Sequence, residues 1–131
     1  MNNQPDATPP SLDIADGVAR ITLNRPLQRN RLENADLGTL LKQFELINSD
    51  PQVRVAVLTA NTTGQPKPVF CAGYDIGGFQ HNAQGSSAFE TVAQAWADLR
   101  PITVCALNGS VYGGATDLVL ACDLRMALQG I

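Results

Sequence analysis

Asn108-Gly109-Ser110-Val111-Tyr112-Gly113-Gly114-Ala115-Thr116-Asp117, running on through Leu118-Val119-Leu120-Ala121-Cys122-Asp123, is the stretch whose reading decides the fold. The apolar run Ile102-Thr103-Val104-Cys105-Ala106-Leu107 feeds into it and reads as a buried strand. Asn-Gly then turns the chain. Behind the glycine pair, Ala115, Leu118, Val119 and Cys122 fall at i, i+3, i+4 and i+7, the apolar stripe of a helix. A strand ends, a loop turns, and a helix opens at two residues with no side chain. The first amides of a helix have no partner inside it and lie at the positive end of its dipole. Without a Cβ in the way, a ligand oxygen can come close to them. That is the geometry of a site that holds a developing negative charge on oxygen. Taken alone, the same glycine pair also reads as a plain turn before a helix.

Size and composition set the limits around this stretch. The chain has 131 residues, enough for one domain, and is 44% hydrophobic and 16% charged, so it can bury a core. A net charge of -3 and a pI near 4.9 argue against a general nucleic-acid binder. No apolar run approaches the length of a membrane span. Met1 to Pro10 is polar and proline-rich and reads as a loose, disordered leader, neither signal peptide nor transit peptide; the core domain is expected over residues 11–131. Cys71, Cys105 and Cys122 are odd in number, lack CxxC spacing and sit in apolar runs. They read as buried free thiols of a cytoplasmic protein, and no metal site is expected.

The rest of the chain alternates strands and helices. Leu12 to Ile14 and Val18 to Leu23 are short alternating runs split by Asp16-Gly17, a hairpin signal. Asn24-Arg25-Pro26 ends the second run, and Arg25, Arg29 and Arg31 then form the densest positive patch. That patch reads either as a solvated loop or as a contact for a phosphorylated ligand. Leu37, Leu40, Leu41, Phe44 and Ile47 mark a helix with Asn34 as N-cap, stopped by Asn48-Ser49-Asp50-Pro51. Val53 to Thr59 is rich in β-branched residues and reads as a strand, completing a right-handed βαβ unit. A polar loop, Asn61 to Pro68, leads to Val69-Phe70-Cys71-Ala72-Gly73-Tyr74-Asp75, where Ala72 and Gly73 again allow close approach to the backbone or simply make a turn. His81 to Ser86 reads as a mobile loop with the single histidine facing solvent. Ser87 to Glu90 has capping-box spacing and predicts a helix start there, with Phe89, Val92, Ala93 and Trp96 on its core face. Arg100-Pro101 ends that helix, and Asp123 to Ala127 reads as a last short strand.

Four blocks together resemble the crotonase family, also called the enoyl-CoA hydratase/isomerase family. They are Ile21-Thr22-Leu23-Asn24-Arg25-Pro26 with Arg29-Asn30, then Val53 to Thr59, then Phe70 to Asp75, then Asn108-Gly109 through Gly113-Gly114 to Asp123. Each block is weak alone, but they stand in family order and spacing from about Leu12 to Ala127. The resemblance implies an α/β fold of the ClpP/crotonase type, a spiral of ββα units with short strands in two sheets, here truncated to the N-terminal part.

It also implies function. Family members bind an acyl-CoA thioester as substrate and need no further cofactor. Two backbone amides hold the thioester oxygen; by motif position these are Ala72 and Gly114, with Gly113 beside them. Gly73, Tyr74 and Asp75 continue the CoA path, and Arg25 and Arg29 lie near the CoA. Hydratases of the family manage the proton and the water with two glutamates. The first falls at Asp117, where the carboxylate is kept but is one methylene, about 1.5 Å, shorter. An acid in the first turn also stabilises the helix dipole, so Asp117 has a plain reading beside the catalytic one. The second glutamate and the C-terminal helices are expected beyond Ile131, since family members are roughly twice this length. The apolar faces such a half leaves open predict self-association, as a trimer or hexamer by family resemblance. The expected partner is an acyl-CoA small molecule, with neither nucleic acid nor membrane. The expected activity is hydration or isomerisation of an enoyl-CoA. The alternatives are a non-catalytic CoA-ester binder or inert fragment, and another activity of the same fold, such as thioester hydrolysis or decarboxylation.

Overall fold

A computed structural model describes residues 8–74 and 82–130, with side chains in the second helix described from Ser87 onward. The chain opens on the hairpin of β1 (Ser11–Ala15) and β2 (Val18–Leu23), paired antiparallel from Ser11 opposite Thr22 to Ala15 opposite Val18. Asp16 at φ 53° and Gly17 at φ 81° make the turn, the two left-handed positions that a tight hairpin needs. A 3-10 turn at Pro26–Gln28 leads to α1 (Asn34–Ser49), which returns the chain to β3 (Val55–Ala60), parallel to β2. After β4 (Val69–Cys71) and α2 (Asn82–Ala97), β5 (Ile102–Leu107) lies parallel to β3. After β6 (Ser110–Val111) and α3 (Ala115–Ala121), β7 (Leu124–Ala127) lies parallel to β5. The large sheet therefore runs β1-β2-β3-β5-β7, and β4 and β6 form a second, two-stranded parallel sheet. The expected two sheets of short strands are present.

One face of the large sheet carries the core. Ala19, Ile21 and Leu23 of β2, Ala56, Leu58 and Ala60 of β3, and Thr103 and Cys105 of β5 are all buried. They alternate with more exposed neighbours, as the pleat requires. Leu37, Leu40, Phe44 and Ile47 of α1 and Phe89, Val92 and Trp96 of α2 pack onto them. The Phe44 and Trp96 rings stack at 5.8 Å, and Trp96 Nε1 donates to Leu118 O at 3.0 Å, which ties α2 to α3. Cys71, Cys105 and Cys122 are free and buried, as read.

Local readings need four corrections. The N-cap of α1 is Glu33, one residue before Asn34, because the Glu33 amide donates to Asp36 Oδ2 at 2.9 Å. The third strand covers Val55–Ala60, so Val53 and Arg54 precede it. Residues 82–86 belong to α2 and not to a loop, so Ser87 to Glu90 lie inside that helix and do not start it; His81 falls outside the described residues. Thr8 to Pro10 are docked, not loose: Thr8 Oγ1 donates to Asn24 O, and the Pro10 carbonyl accepts Gln43 Nε2 at 2.8 Å.

Candidate functional site

Three segments far apart in sequence are laced together by their own backbone. The loop after β2 carries left-handed Arg29 and Asn30, at φ 57° and 54°. That geometry turns Arg29 O toward β4, where the Ala72 amide donates to it at 2.9 Å, and the Leu32 amide in turn donates to Gly73 O at 2.9 Å. The third segment joins through Tyr112, whose amide donates to Cys71 O at 3.0 Å. Asn30 holds the bend. Its buried side chain accepts the Arg25 amide at 2.9 Å and donates to Val69 O at 3.0 Å and Asn61 O at 2.9 Å.

Gly73 is the point of closest approach. At φ +110° it occupies a conformation that side chains rarely adopt, and an added Cβ would lie 3.2 Å from Tyr112 O and 3.5 Å from the Gly114 nitrogen. The turn behind it is as tight: a Cβ on Gly109 would stand 2.6 Å from the Phe70 nitrogen. On the far side, Gly114 is covered by Phe89, whose Cε2 would meet an added Cβ at 3.2 Å. Phe89 also stacks on Tyr74 with ring centroids 5.6 Å apart. The Tyr74 hydroxyl donates to Asn34 Oδ1.

Which amides remain available follows from these bonds. The Ala72 amide is engaged by Arg29 O, so the expectation that it faces a ligand is corrected. The Gly73 amide leans on Cys71 Sγ at 3.4 Å. Among the described residues, the amides of Tyr74 and Gly114 have no protein acceptor. They belong to two loops in van der Waals contact. One residue, Gly73, separates Ala72 from Tyr74, and the bond from the Ala72 amide to Arg29 O distinguishes the two.

The arginines divide in the same way. Arg25 is buried, with Nε 2.9 Å from Asp36 Oδ2 and Nη2 3.1 Å from Asp36 Oδ1. It sits behind the site and holds the start of α1, so its expected contact with a phosphorylated ligand is corrected as well. Arg29 is exposed, with its guanidinium 5.4 Å from the centre of the Tyr112 ring. It lines a cavity of about 490 Å³ together with Pro26, Gln65, Lys67, Ser110 and Tyr112. Among the described residues, two cations line this cavity and no carboxylate does. Lys67 and Gln65 lie in a loop whose only sequence signal was polarity. Asp75 lies outside the described residues.

Asp117 is exposed in the first turn of α3, one helical turn beyond Gly114. It lines a separate groove of about 380 Å³ with Phe89, Glu90 and Ala93 of α2. Burial pushes the Cys71 thiol, under the same loops, up to about 11 from its ordinary 9.0, and also raises Cys105. Both are therefore protonated and unreactive near neutral pH. The described residues hold no group of three or more metal-ligating side chains, and no helix among them is long and apolar enough to cross a membrane.

Comparison with known proteins sets this geometry in context. A family model described as enoyl-CoA hydratase/isomerase matches residues 13–130. The chain is 33% identical to (E)-benzylidenesuccinyl-CoA hydratase of Thauera aromatica over 129 residues, 91% of this chain and 46% of that protein. It is 33% identical to 2,3-dehydroadipyl-CoA hydratase of Escherichia coli over 113 residues, 84% of this chain and 42% of that protein. The solved enoyl-CoA hydratase from Bacillus anthracis superposes with a TM-score of 0.82 at 33% identity, covering 92% of this chain and 47% of that one. The chain thus spans about half the length of the relatives it matches.

Proposed function

The chain belongs to the enoyl-CoA hydratase/isomerase family, with the crotonase fold over about half of its relatives' span, and from that premise we propose that it binds an acyl-CoA thioester through the amides of Tyr74 and Gly114. The observation that carries this reading is the pair of unbonded amides on two touching loops. A thioester oxygen placed between them accepts two hydrogen bonds, and these strengthen as the carbonyl becomes an enolate. One such donor is worth roughly 3 kcal/mol of barrier. The phosphate groups of CoA take the cavity of Arg29 and Lys67, where no carboxylate among the described residues opposes them. Asp117 carries a proton on the acyl side, and the reaction is hydration or isomerisation of an enoyl-CoA.

Two measurements test it. Turnover of crotonyl-CoA removes the conjugated thioester absorbance, and cinnamoyl-CoA shifts its absorption to the red when its carbonyl is polarised by two amides. Loss of absorbance together with the red shift supports the full reading. A red shift without turnover points instead to a CoA-ester binder, a reading favoured by the short carboxylate at Asp117. Neither signal, with no heat of binding for acetyl-CoA, sinks both.

A further inference from the structure

β7 closes one side of the large sheet, and among the described residues no strand lies beyond it. The backbone shows which groups face that edge. The Leu128 amide donates to Leu107 O at 3.2 Å, so it points back to β5. Along a ladder, successive residues turn their backbone groups to opposite sides. Leu124 and Met126 therefore bond inward with Leu128, in step with the register that sets Val104 beside Leu124 and Ala106 beside Met126. The N–H and C=O groups of Arg125 and Ala127 face outward, where no strand among the described residues meets them.

Side chains follow the same alternation. Leu124, Met126 and Leu128 form one row on the open face, and all three are exposed. Arg125 lies on the covered face, where its guanidinium donates to Val119 O at 3.1 Å. A cavity of about 230 Å³ beside the row is lined by Thr59, Ala106, Leu107 and Asn108 as well as by Met126 and Leu128, with no charged side chain among the described residues. Proteins often guard an exposed strand edge with lysine or proline. Leu124-Arg125-Met126-Ala127 has neither, and its one charge is turned away from the open face.

These features fit a second copy of the same strand. A two-fold axis perpendicular to the sheet runs β7 antiparallel to its mate and keeps both open faces on one side. Residues of one face must then stand opposite each other, which leaves two registers centred on the middle of the strand. With Arg125 opposite the partner's Arg125, like charges meet directly. With Met126 opposite the partner's Met126, the outward groups of Arg125 meet those of the partner's Ala127, and Leu124 meets the partner's Leu128. Every outward backbone group is then bonded, and each facing pair on the open side is apolar.

We propose that the chain forms an isologous dimer in which two β7 strands pair antiparallel about Met126, joining the two large sheets into one continuous sheet. The cavity beside Met126 gives the partner's methionine an apolar wall to lie against.

Met126→Cys tests the register directly. At the axis the two residues form a non-hydrogen-bonded pair, with Cα atoms about 4.5 Å apart and within disulfide reach. Cys71, Cys105 and Cys122 are buried and do not compete. With oxidised glutathione, the two introduced thiols are oxidised to one disulfide while one glutathione disulfide is reduced to two thiols. A covalent dimer is expected from Met126→Cys. Leu124→Cys and Leu128→Cys should stay unlinked alone and join when mixed. In the unmodified chain, amide hydrogen exchange at Arg125 and Ala127 should slow by about tenfold or more as concentration rises through the association range. That second measurement decides the matter if a variant loses its circular dichroism spectrum. Cross-linking of Arg125→Cys, or of Leu124→Cys with Met126→Cys, in place of the expected pairs overturns the register and with it the proposal. Association that leaves exchange at Arg125 and Ala127 unchanged means that copies stack face to face, and overturns it as well. So does a chain that sediments as a monomer and leaves Met126→Cys unlinked. No ligand enters these measurements, so their outcome is separate from that of the acyl-CoA reading.

Discussion

Arg25 and Arg29 lie four positions apart on one loop and have opposite tasks. Arg25 neutralises buried Asp36, so Arg25→Ala leaves that carboxylate uncompensated and is expected to destabilise the fold by about 3–5 kcal/mol in urea unfolding. Among the described residues the Arg29 side chain contributes only its contact with the Tyr112 ring, so Arg29→Ala is expected to change stability by less than about 1 kcal/mol. Its effect belongs to binding: calorimetry with CoA should show affinity reduced by about tenfold, a salt-sensitive loss of one charge-assisted contact. Cys71 offers a second test at this scale. Burial holds its thiol near 11, so the folded chain keeps the proton while the unfolded chain loses it above about 9. The unfolded state then binds fewer protons, and stability falls as pH rises. The contribution is fully present below pH 9 and lost between about 9 and 11, on the order of 2–3 kcal/mol. Urea midpoints measured from pH 8 to 11 should fall more steeply in the unmodified chain than in Cys71→Ala. Cys105, raised by burial in the same direction, is common to both proteins and drops out of that comparison.

Elements differ in how much of themselves they display locally. A Cβ at Gly109 would meet the Phe70 nitrogen at 2.6 Å and the Val69 nitrogen at 2.7 Å, all of it backbone that cannot swing aside. Gly109→Ala is therefore expected to part β6 from β4, lower stability by about 1–3 kcal/mol and abolish the cinnamoyl-CoA red shift, because the Gly114 amide leaves the Tyr74 loop. The strands were legible because buried and exposed residues alternate along β2, β3 and β5, and the α1 stripe because five apolar residues share one face. The start of α2 was not. Asn82-Ala83-Gln84-Gly85-Ser86 has weak helix propensity, and the burial of Phe89, Val92 and Trp96 farther on is what stabilises the helix as a whole. The cap of α1 was missed by one residue because Asp36 is positioned by Arg25, eleven residues earlier. The same limit applies to the site. The motif spacing located the loop at Ala72 to Tyr74, but which of its amides is free depends on a carbonyl forty-three residues away, at Arg29.

At the scale of the molecule, the large sheet is covered on one face and open on the other. Parallel strands are normally buried on both faces. Here β7 is the last strand of the sheet, and the outward side of β5 and β7 carries Ile102, Leu124 and Met126, exposed by 53%, 57% and 66%. Register keeps this patch continuous, since Val104 lies beside Leu124 and Ala106 beside Met126. Arg125, the charged residue of β7, points to the other side, where its guanidinium donates to Val119 O at 3.1 Å. The open face is thus apolar and uncharged along two strands, next to the edge of β7, which pairs with no further strand among the described residues. Association in solution through this face is expected. Sedimentation velocity at micromolar concentration should show a species heavier than one chain, and Leu124→Lys with Met126→Lys should return it to monomer. Both side chains are exposed, so folding should survive the change, as far-ultraviolet circular dichroism would show. An unmodified chain that sediments as a monomer under those conditions would leave this face without a role in assembly. Dissociation by the two lysines, with crotonyl-CoA binding retained, would separate the assembly surface from the amide site, which lies against α2 and α3 on the covered side of the sheet.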